Sequence, residues 1–242
     1  MRLAIAGGTG TVGRHVTRIA EAAEHDVLLL TRANGHDLLG GSGIDLTGVD
    51  AVIDVLGPTG VTAKDPLAFF ETTTRNLLQA ELAAGVPHHL ALSIVGAARA
   101  PYSYYGAKAA QERLVSAGEV PWTILRATQF YEFAEAMSQP FGPWLLSPRM
   151  RSQPLAAASV AARLVALAEA GATGDAPDLA GPQEWRMARM LRTILHAKQQ
   201  RRGVIEVPMP GGFGRALRDG TILPGPDAEI DPITLEEWLK RV

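Results

Sequence analysis

The sequence predicts an α/β fold: a doubly wound, mainly parallel sheet with a smaller C-terminal part. Three observations predict it. A short, mostly apolar run, Arg2–Ala6, enters a glycine-rich turn, and a helix-compatible pattern follows at once. Short apolar runs then alternate with longer helical patterns, as βαβ units require. One of those runs, Asp26–Thr31, is continuously apolar inside, as expected of a strand buried on both faces.

Composition narrows the classes. The 242 residues are 47% apolar and 20% charged, which describes a globular chain with a substantial core. A net charge of -2 offers no general footprint for nucleic acid or a membrane surface. The chain has no cysteine, which excludes disulfides, thiolate zinc sites and cysteine nucleophiles. Its histidines fall at no metal-ligand spacing, so no metal is assigned. No stretch approaches the roughly 20 apolar residues of a membrane span. The run that ends at Gly7 is too short for a signal peptide, so a cytoplasmic protein is expected.

The opening turn carries the first chemistry. Gly8, Gly10 and Gly13 fit G-x-G-x-x-G, and Gly7, Gly10 and Gly13 fit the looser G-x-x-G-x-x-G. Glycine serves there in a tight turn, in close approach of backbone to a pyrophosphate, and in helix–strand packing. A plain βα turn would also use glycine, but the strand before and the helix after favour a dinucleotide. Gly7, Thr9, Gly10, Thr11, Val12 and Gly13 are the candidate pyrophosphate binders.

Val16, Ile19, Ala20 and Ala23 then stand at helical spacing. The strand Asp26–Thr31 ends in Thr31-Arg32, where such folds meet the adenosine ribose. An acid there favours NAD, while an arginine without one favours the 2′-phosphate of NADP. Arg32 therefore predicts NADP(H) over NAD(H). Residues 34–48 read mostly as loop, with Asp37-Leu38 ending a short third strand as a candidate adenine contact. Asp50–Leu56 reads as the next strand, and Leu56-Gly57 leaves its carboxyl end beside the cofactor. Asp54, inside that strand, is read as bonding a neighbouring loop or nearing the strand end, not as catalytic.

Phe69–Ala84 is a helix stopped by Gly85-Val86-Pro87, with Asn76 expected to bond a neighbouring strand backbone. His88–Val95 is a strand whose two leading histidines are expected at the surface. Tyr104 and Lys108 follow at i and i+4, on one face of a helix. A lysine charge beside a phenol lowers its pKa from about 10, making it a usable acid or base. An amphipathic helix with a surface lysine is the structural alternative.

These stretches resemble an atypical short-chain dehydrogenase/reductase of the NmrA-like or NAD(P)H-binding type. The resemblance rests on Gly7–Gly13, Thr31-Arg32, Thr74–Leu78, Ser93–Gly96, Tyr104–Glu112 and Ile124–Tyr131, and covers nearly the whole chain. It implies a Rossmann-type fold in which the glycine turn binds the pyrophosphate. It also implies that Lys108 holds the nicotinamide ribose and Tyr104 donates a proton to a carbonyl. Ser93 is the candidate third catalytic residue. Relatives carry a Ser or Thr hydroxyl just beyond this strand, where Ile94, Val95 and Gly96 stand here, so a contact of Ser93 to the cofactor stays open.

Trp122–Arg126 reads as a strand that delivers Ala127 and Thr128 to the nicotinamide, and Gln129, Phe130, Tyr131 and Phe133 to a substrate. With Met137, Phe141 and Trp144 these side chains could wall an apolar pocket or pack a C-terminal core; both readings stand. Residues 138–154, with prolines at 140, 143, 148 and 154, read as a loop or lid. Ser159–Ala170 and Trp185–Gln200 read as helices, with Lys198, Arg201 and Arg202 at a solvated helix end. Gly203–Pro208 reads as a strand, and Thr234–Glu237 as a capping box opening a helix over 235–241. Residues 1–128 should form the nucleotide-binding core and 129–242 a substrate-covering part of the same body. Two functions are open: an NADPH-dependent reductase of a small, apolar carbonyl, quinone or similar acceptor, and a non-catalytic NADP(H) sensor. The Tyr104/Lys108 pair favours the first and Ile94 the second.

Overall fold

The computed structural model describes residues 1–241. Its first half runs β1 (Arg2–Ala6), α1 (Gly13–Ala22), β2 (Asp26–Leu30), β3 (Ala51–Asp54), α2 (Pro66–Ala84), β4 (His89–Ile94), α3 (Ser103–Ser116) and β5 (Trp122–Ala127). Then come β6 (Gln139–Phe141), β7 (Trp144–Pro148), β8 (Arg151–Ser152), α4 (Ala157–Ala170), β9 (Gly174–Asp175), β10 (Leu179–Ala180) and β11 (Trp185–Arg186). The chain closes with α5 (Met187–Ala197), β12 (Gly203–Val207), α6 (Gly211–Asp219), β13 (Glu229–Ile230) and α7 (Leu235–Leu239).

The central sheet has the order β13-β10-β5-β4-β3-β1-β2, with β9 also against β5. Every pairing in it is parallel. Leu3, Ala4, Ile5 and Ala6 of the inner strand β1 are wholly buried, because helices cover both faces. Leu3, Ile5, Leu90 and Leu92 pack with Val16 of α1 and Val160 and Leu164 of α4. Ala4, Ala6 and Val52 pack on the other face with Leu77 of α2. The chain runs from β1 outward to β2, then returns to β3 on the other side of β1. That reversal is the switch point where open α/β sheets bind ligands, at the carboxyl ends of the strands.

The predicted third strand does not form. Asp37 makes one isolated bridge, to Ser42. Gly41 and Gly43 take φ of 72° and 71°, which turns the chain back before a ladder can extend. Leu38 and Leu46 anchor this loop in the core instead, and Asn76 Nδ2 donates to the carbonyls of Leu38 (3.0 Å) and Leu39 (3.2 Å). Asn76 thus bonds a neighbouring backbone, though it belongs to a loop and not a strand.

Residues 138–154, expected as an irregular loop or lid, form regular strands. β6 and β7 form an antiparallel hairpin, β12 joins β7 in parallel, and β8 pairs β11. The prolines are compatible because Pro140 lies on an edge strand, Pro143 in the turn and Pro148 at the end of β7. The two histidines are not at the surface either. His89 Nδ1 lies 2.8 Å from Glu81 Oε1, and His88 Nε2 lies 2.9 Å from Thr123 Oγ1. Both rings are buried because α2 and β5 supply their partners. A second apolar cluster joins Tyr105 and Tyr131 to α5, α6 and α7. The capping box forms, with Glu237 N–H donating to Thr234 Oγ1 at 3.2 Å, although α7 stops at Leu239. Among the described residues no helix is long and apolar enough to cross a membrane.

Candidate functional site

The glycine turn leaves β1 at the switch point. Its glycines divide by what a Cβ would meet. At Gly7, with φ of 88°, it would lie 2.8 Å from the Val55 carbonyl oxygen. At Gly13 it would lie among the backbone atoms of Gly7 and Gly8, with Gly8 Cα at 2.7 Å. These two permit the β1–β3 loop contact and the seating of α1 on the turn. At Gly10 a Cβ would meet only the Gly7 oxygen, at 3.2 Å, and otherwise points outward. Thr9 and Gly10 are exposed, Thr11 is half-buried, and Val12 turns inward as part of the core. No side-chain cap satisfies the start of α1. The N–H groups of Arg14 and His15 are taken by the Gly10 and Val12 carbonyls at 3.0 and 2.9 Å, so what the turn offers an anion is the positive end of the helix dipole, with no acidic side chain in the first turn.

The flanking candidates follow in order along the same edge. Thr31 caps a short turn of helix over Arg32–Asn34 by accepting from Asn34 N–H (3.3 Å), which presents Arg32 to solvent just beyond β2. Leu38 is buried, and Asp37 Oδ1 accepts from Leu39 N–H at 3.2 Å. A Cβ on Gly57 would meet nothing within 4 Å, so the turn after β3 is open. Leu56, half-buried, is fixed by its N–H donating to Asp54 Oδ1 at 3.0 Å.

α3 brings Tyr104 and Lys108 to this edge. Ser103 holds a φ of 47°, rare for a non-glycine, and Gly106 lets the first turn pass Pro101, whose carbonyl would stand 3.0 Å from a Cβ. Tyr104 is 37% exposed and packs edge-on to Phe70, with ring centroids 5.6 Å apart. Lys108 is buried. Its Nζ donates to the Leu92 carbonyl at 2.7 Å and to Gln111 Oε1 at 2.7 Å, and it stands 4.2 Å from the Phe70 ring centroid.

The expected lowering of the phenol pKa is overturned. Desolvation, with the Asp54 carboxylate adding to it, pushes Tyr104 up to about 12. The ammonium that was to lower it is directed at Leu92 and Gln111. Burial in turn pulls Lys108 down to about 8, against the opposing charges of Asp54 and Glu112. Ser93 Oγ donates to Glu112 Oε1 at 2.5 Å. Arg126 grips the same carboxylate with two bonds of 3.0 and 2.9 Å and reaches Asp175 at 2.8 Å.

Beyond β5, Ala127 is buried and Thr128 Oγ1 donates to the Gln153 carbonyl at 2.6 Å. Gln129 is buried, its Nε2 donating to Tyr105 Oη (2.8 Å) and its Oε1 accepting from Ser152 Oγ (2.8 Å). Tyr131 is almost wholly buried and its hydroxyl donates to the Ile233 carbonyl at 3.2 Å. Phe130 is buried, with its ring 5.3 Å from that of the exposed Phe133. Phe141 and Trp144 stand exposed on the three-stranded sheet. Sequence reading missed Gln111 and Phe70, the two side chains that receive Lys108. An acid inside the apolar strand β3 was the one visible sign of buried polar partners.

Comparison with known proteins bears on the family and the fold. No curated protein matches the sequence. Three solved structures cover almost the whole chain. RMD from Pseudomonas aeruginosa, complexed with NADPH, is 20% identical, with a TM-score of 0.66 over 99% of this chain and 96% of that one. A short-chain dehydrogenase/reductase superfamily protein from Agrobacterium tumefaciens with bound NAD is 19% identical, with a TM-score of 0.69 over 100% and 95%. The Bordetella bronchiseptica enzyme WbmH in complex with NAD+ is 12% identical, with a TM-score of 0.71 over 98% and 95%. At these identities the likeness shows the fold. A family described as NAD(P)H-binding matches residues 45–171, more than half of the chain, and the chain belongs to that NAD(P)H-binding family, with a fold like that of short-chain dehydrogenase/reductase proteins.

Proposed function

We propose that this protein is an NADPH-dependent reductase of a small, apolar carbonyl, quinone or similar acceptor. The observation that carries the reading is Tyr104, whose ring partly reaches the surface one turn before the buried Lys108 on α3, and whose phenol is kept in its protonated form by desolvation. A phenol that keeps its proton at neutral pH is an acid, and reduction of a carbonyl needs an acid at the oxygen. Bound NADPH supplies the hydride. The residues present fit it: Gly10 leaves its outward side free, and the start of α1 carries no cap.

Gly7–Gly13 would hold the pyrophosphate, Arg32 the 2′-phosphate, and Asp37 and Leu38 the adenine through their loop. Leu56, Gly57, Ala127 and Thr128 would line the nicotinamide half. Lys108 would hold the ribose, Tyr104 would give its proton to the substrate oxygen, and Ser93 would orient one or the other. Phe133 and Phe130, with Gln129 and Tyr131 behind them, would wall the substrate. A sensor without turnover is the second reading. It is favoured by Lys108 and Ser93, whose donors are already engaged inside the protein.

Calorimetric titration with NADPH and NADH, beside NADPH oxidation on a panel of aldehydes, ketones and quinones, separates the two. Tighter binding of NADPH with turnover on a panel member supports the reductase. Binding with no turnover on any of them supports the sensor.

A further inference from the structure

Three acid–base pairs lie along β3, β4, β5, α2 and α3, and one differs from the others. Glu81 lies directly on His89, 2.8 Å apart. Glu112 lies directly on Arg126, 2.9 Å apart. The remaining charges are Asp54, wholly buried on β3, and Lys108, buried on α3. They meet only through Gln111. Its Oε1 accepts from Lys108 Nζ at 2.7 Å, and its Nε2 donates to Asp54 Oδ2 at 2.8 Å. The orientation of this amide is determined by chemistry. A lysine can only donate and a carboxylate only accept, so oxygen must face Lys108 and nitrogen must face Asp54.

We propose that Asp54 is the counter-charge of Lys108, and that Asp54 and Gln111 are positioning residues that fix the ammonium where the cofactor ribose would be held. Glu112, on the same helix as Lys108, is already bound by Arg126 and Ser93, so its charge is largely taken. Glu81 from α2 and His89 from β4 balance each other behind Asp54. Asp54 is left as the anion that keeps Lys108 charged in a site otherwise closed by the Phe70 ring. Its other oxygen takes the Leu56 N–H. One carboxylate therefore holds both the ribose lysine and the open turn at Leu56-Gly57. The inference deepens the reductase reading, since it assumes that Lys108 serves the ribose. The link between Asp54 and Lys108 is testable without that reading.

The chain has only four lysines, Lys64, Lys108, Lys198 and Lys240, so protein labelled with carbon-13 at lysine Cε gives a tractable spectrum. Loss of a resonance in Lys108→Met assigns it. In cofactor-free wild type the Lys108 signal should titrate near pH 8. In Asp54→Asn its midpoint should fall by about one pH unit, the effect of losing a nearby opposite charge. Gln111→Met should lower it too. An unmoved or raised midpoint in either folded variant overturns the proposal.

If neither variant folds, the wild type decides. Lys108 ammonium protons held by the Leu92 carbonyl and Gln111 Oε1 under the Phe70 ring should exchange slowly enough to be seen near neutral pH, and their absence overturns it. NADPH calorimetry on the same variants tests the functional half. Affinity that falls about tenfold along with the midpoint supports the ribose role. A moved midpoint with unchanged affinity retains the Asp54–Gln111–Lys108 link and removes Lys108 from cofactor binding.

Discussion

The two halves of the proposed site differ in what their polar groups are doing. In the glycine turn no side chain is committed: the bonds are backbone to backbone, a Cβ on Gly10 would point outward, and α1 begins without a side-chain cap. Around α3 they are committed: Lys108 gives its protons to Leu92 and Gln111, and Ser93 gives its own to Glu112. The first half is built in advance, because backbone donors cost nothing further to orient once helix and turn have formed. The second half must exchange internal bonds for ligand bonds.

Turnover gives the largest expected effect. Tyr104→Phe removes the hydroxyl and keeps the ring against Phe70. On a simple aldehyde or ketone, kcat should fall by about 10²–10⁴-fold while cofactor affinity changes little. A quinone gives a stabilised anion that water can protonate, so the loss should be small there. Equal activity of wild type and variant on both substrate classes, in an active wild type, would remove Tyr104 from the mechanism.

The glycines sharpen the open half. Gly13→Ala should destabilise the fold by about 3 kcal/mol, because a Cβ there runs into backbone of the turn. Gly10→Val should leave the fold largely intact and abolish dinucleotide binding, because its side chain points into the proposed phosphate space. Denaturant unfolding beside calorimetry checks the pair. A Gly10→Val protein that is folded and binds normally would move the pyrophosphate elsewhere.

Arg32 should matter less, and selectively. Arg32→Ala should weaken NADPH binding by about 1.5–3 kcal/mol, the worth of a well-formed charge-assisted contact, and leave NADH nearly unchanged. Equal losses for the two cofactors would show that Arg32 does not read the 2′-phosphate.

The smallest effect probes the closed half through pH. Lys108 sits near 8 when folded and at its ordinary 10.5 when unfolded. Between those values the unfolded chain holds a proton that the folded chain has lost, so stability rises with pH. The slope from this one group is at most about 1.4 kcal/mol per pH unit. Above about pH 10 the raised pKa of Tyr104 opposes it, so the clean window is about pH 8 to 10. Urea unfolding across that window should show the rise in wild type and lose it in Lys108→Met. A rise that survives in the variant belongs to another group.

The sequence made the open half far more legible than the closed one, for physical reasons. Glycines at fixed spacing and an apolar strand before them are local signals, and the turn they specify is local too. The i, i+4 spacing of Tyr104 and Lys108 is equally local and does place both on α3. Gln111, at i+3, is local as well, but the other groups that hold the Lys108 ammonium are not: the Leu92 carbonyl comes from β4, and Asp54, which holds Gln111, from a strand over fifty residues earlier in the chain. His88 and His89 misled for the same reason: their partners Glu81 and Thr123 arrive from α2 and β5. Residues 138–154 misled through proline, which a strand accepts at an edge or an end, and edges are set by topology.

Arg32 is carried by the outermost strand of the sheet. Among the described residues β2 pairs only with β1, and three of its five residues are half-buried. Asn34 Nδ2 clips to the Leu29 carbonyl at 3.2 Å and fastens the Arg32 turn to that strand. Elements with few neighbours open locally at low free energy, long before the molecule unfolds. Amides of β2 should therefore exchange with solvent sooner than those of β3 and β4. Whatever anion Arg32 grips would close that loose margin by mass action, so cofactor selection would register as slowed deuterium uptake along the edge of the sheet.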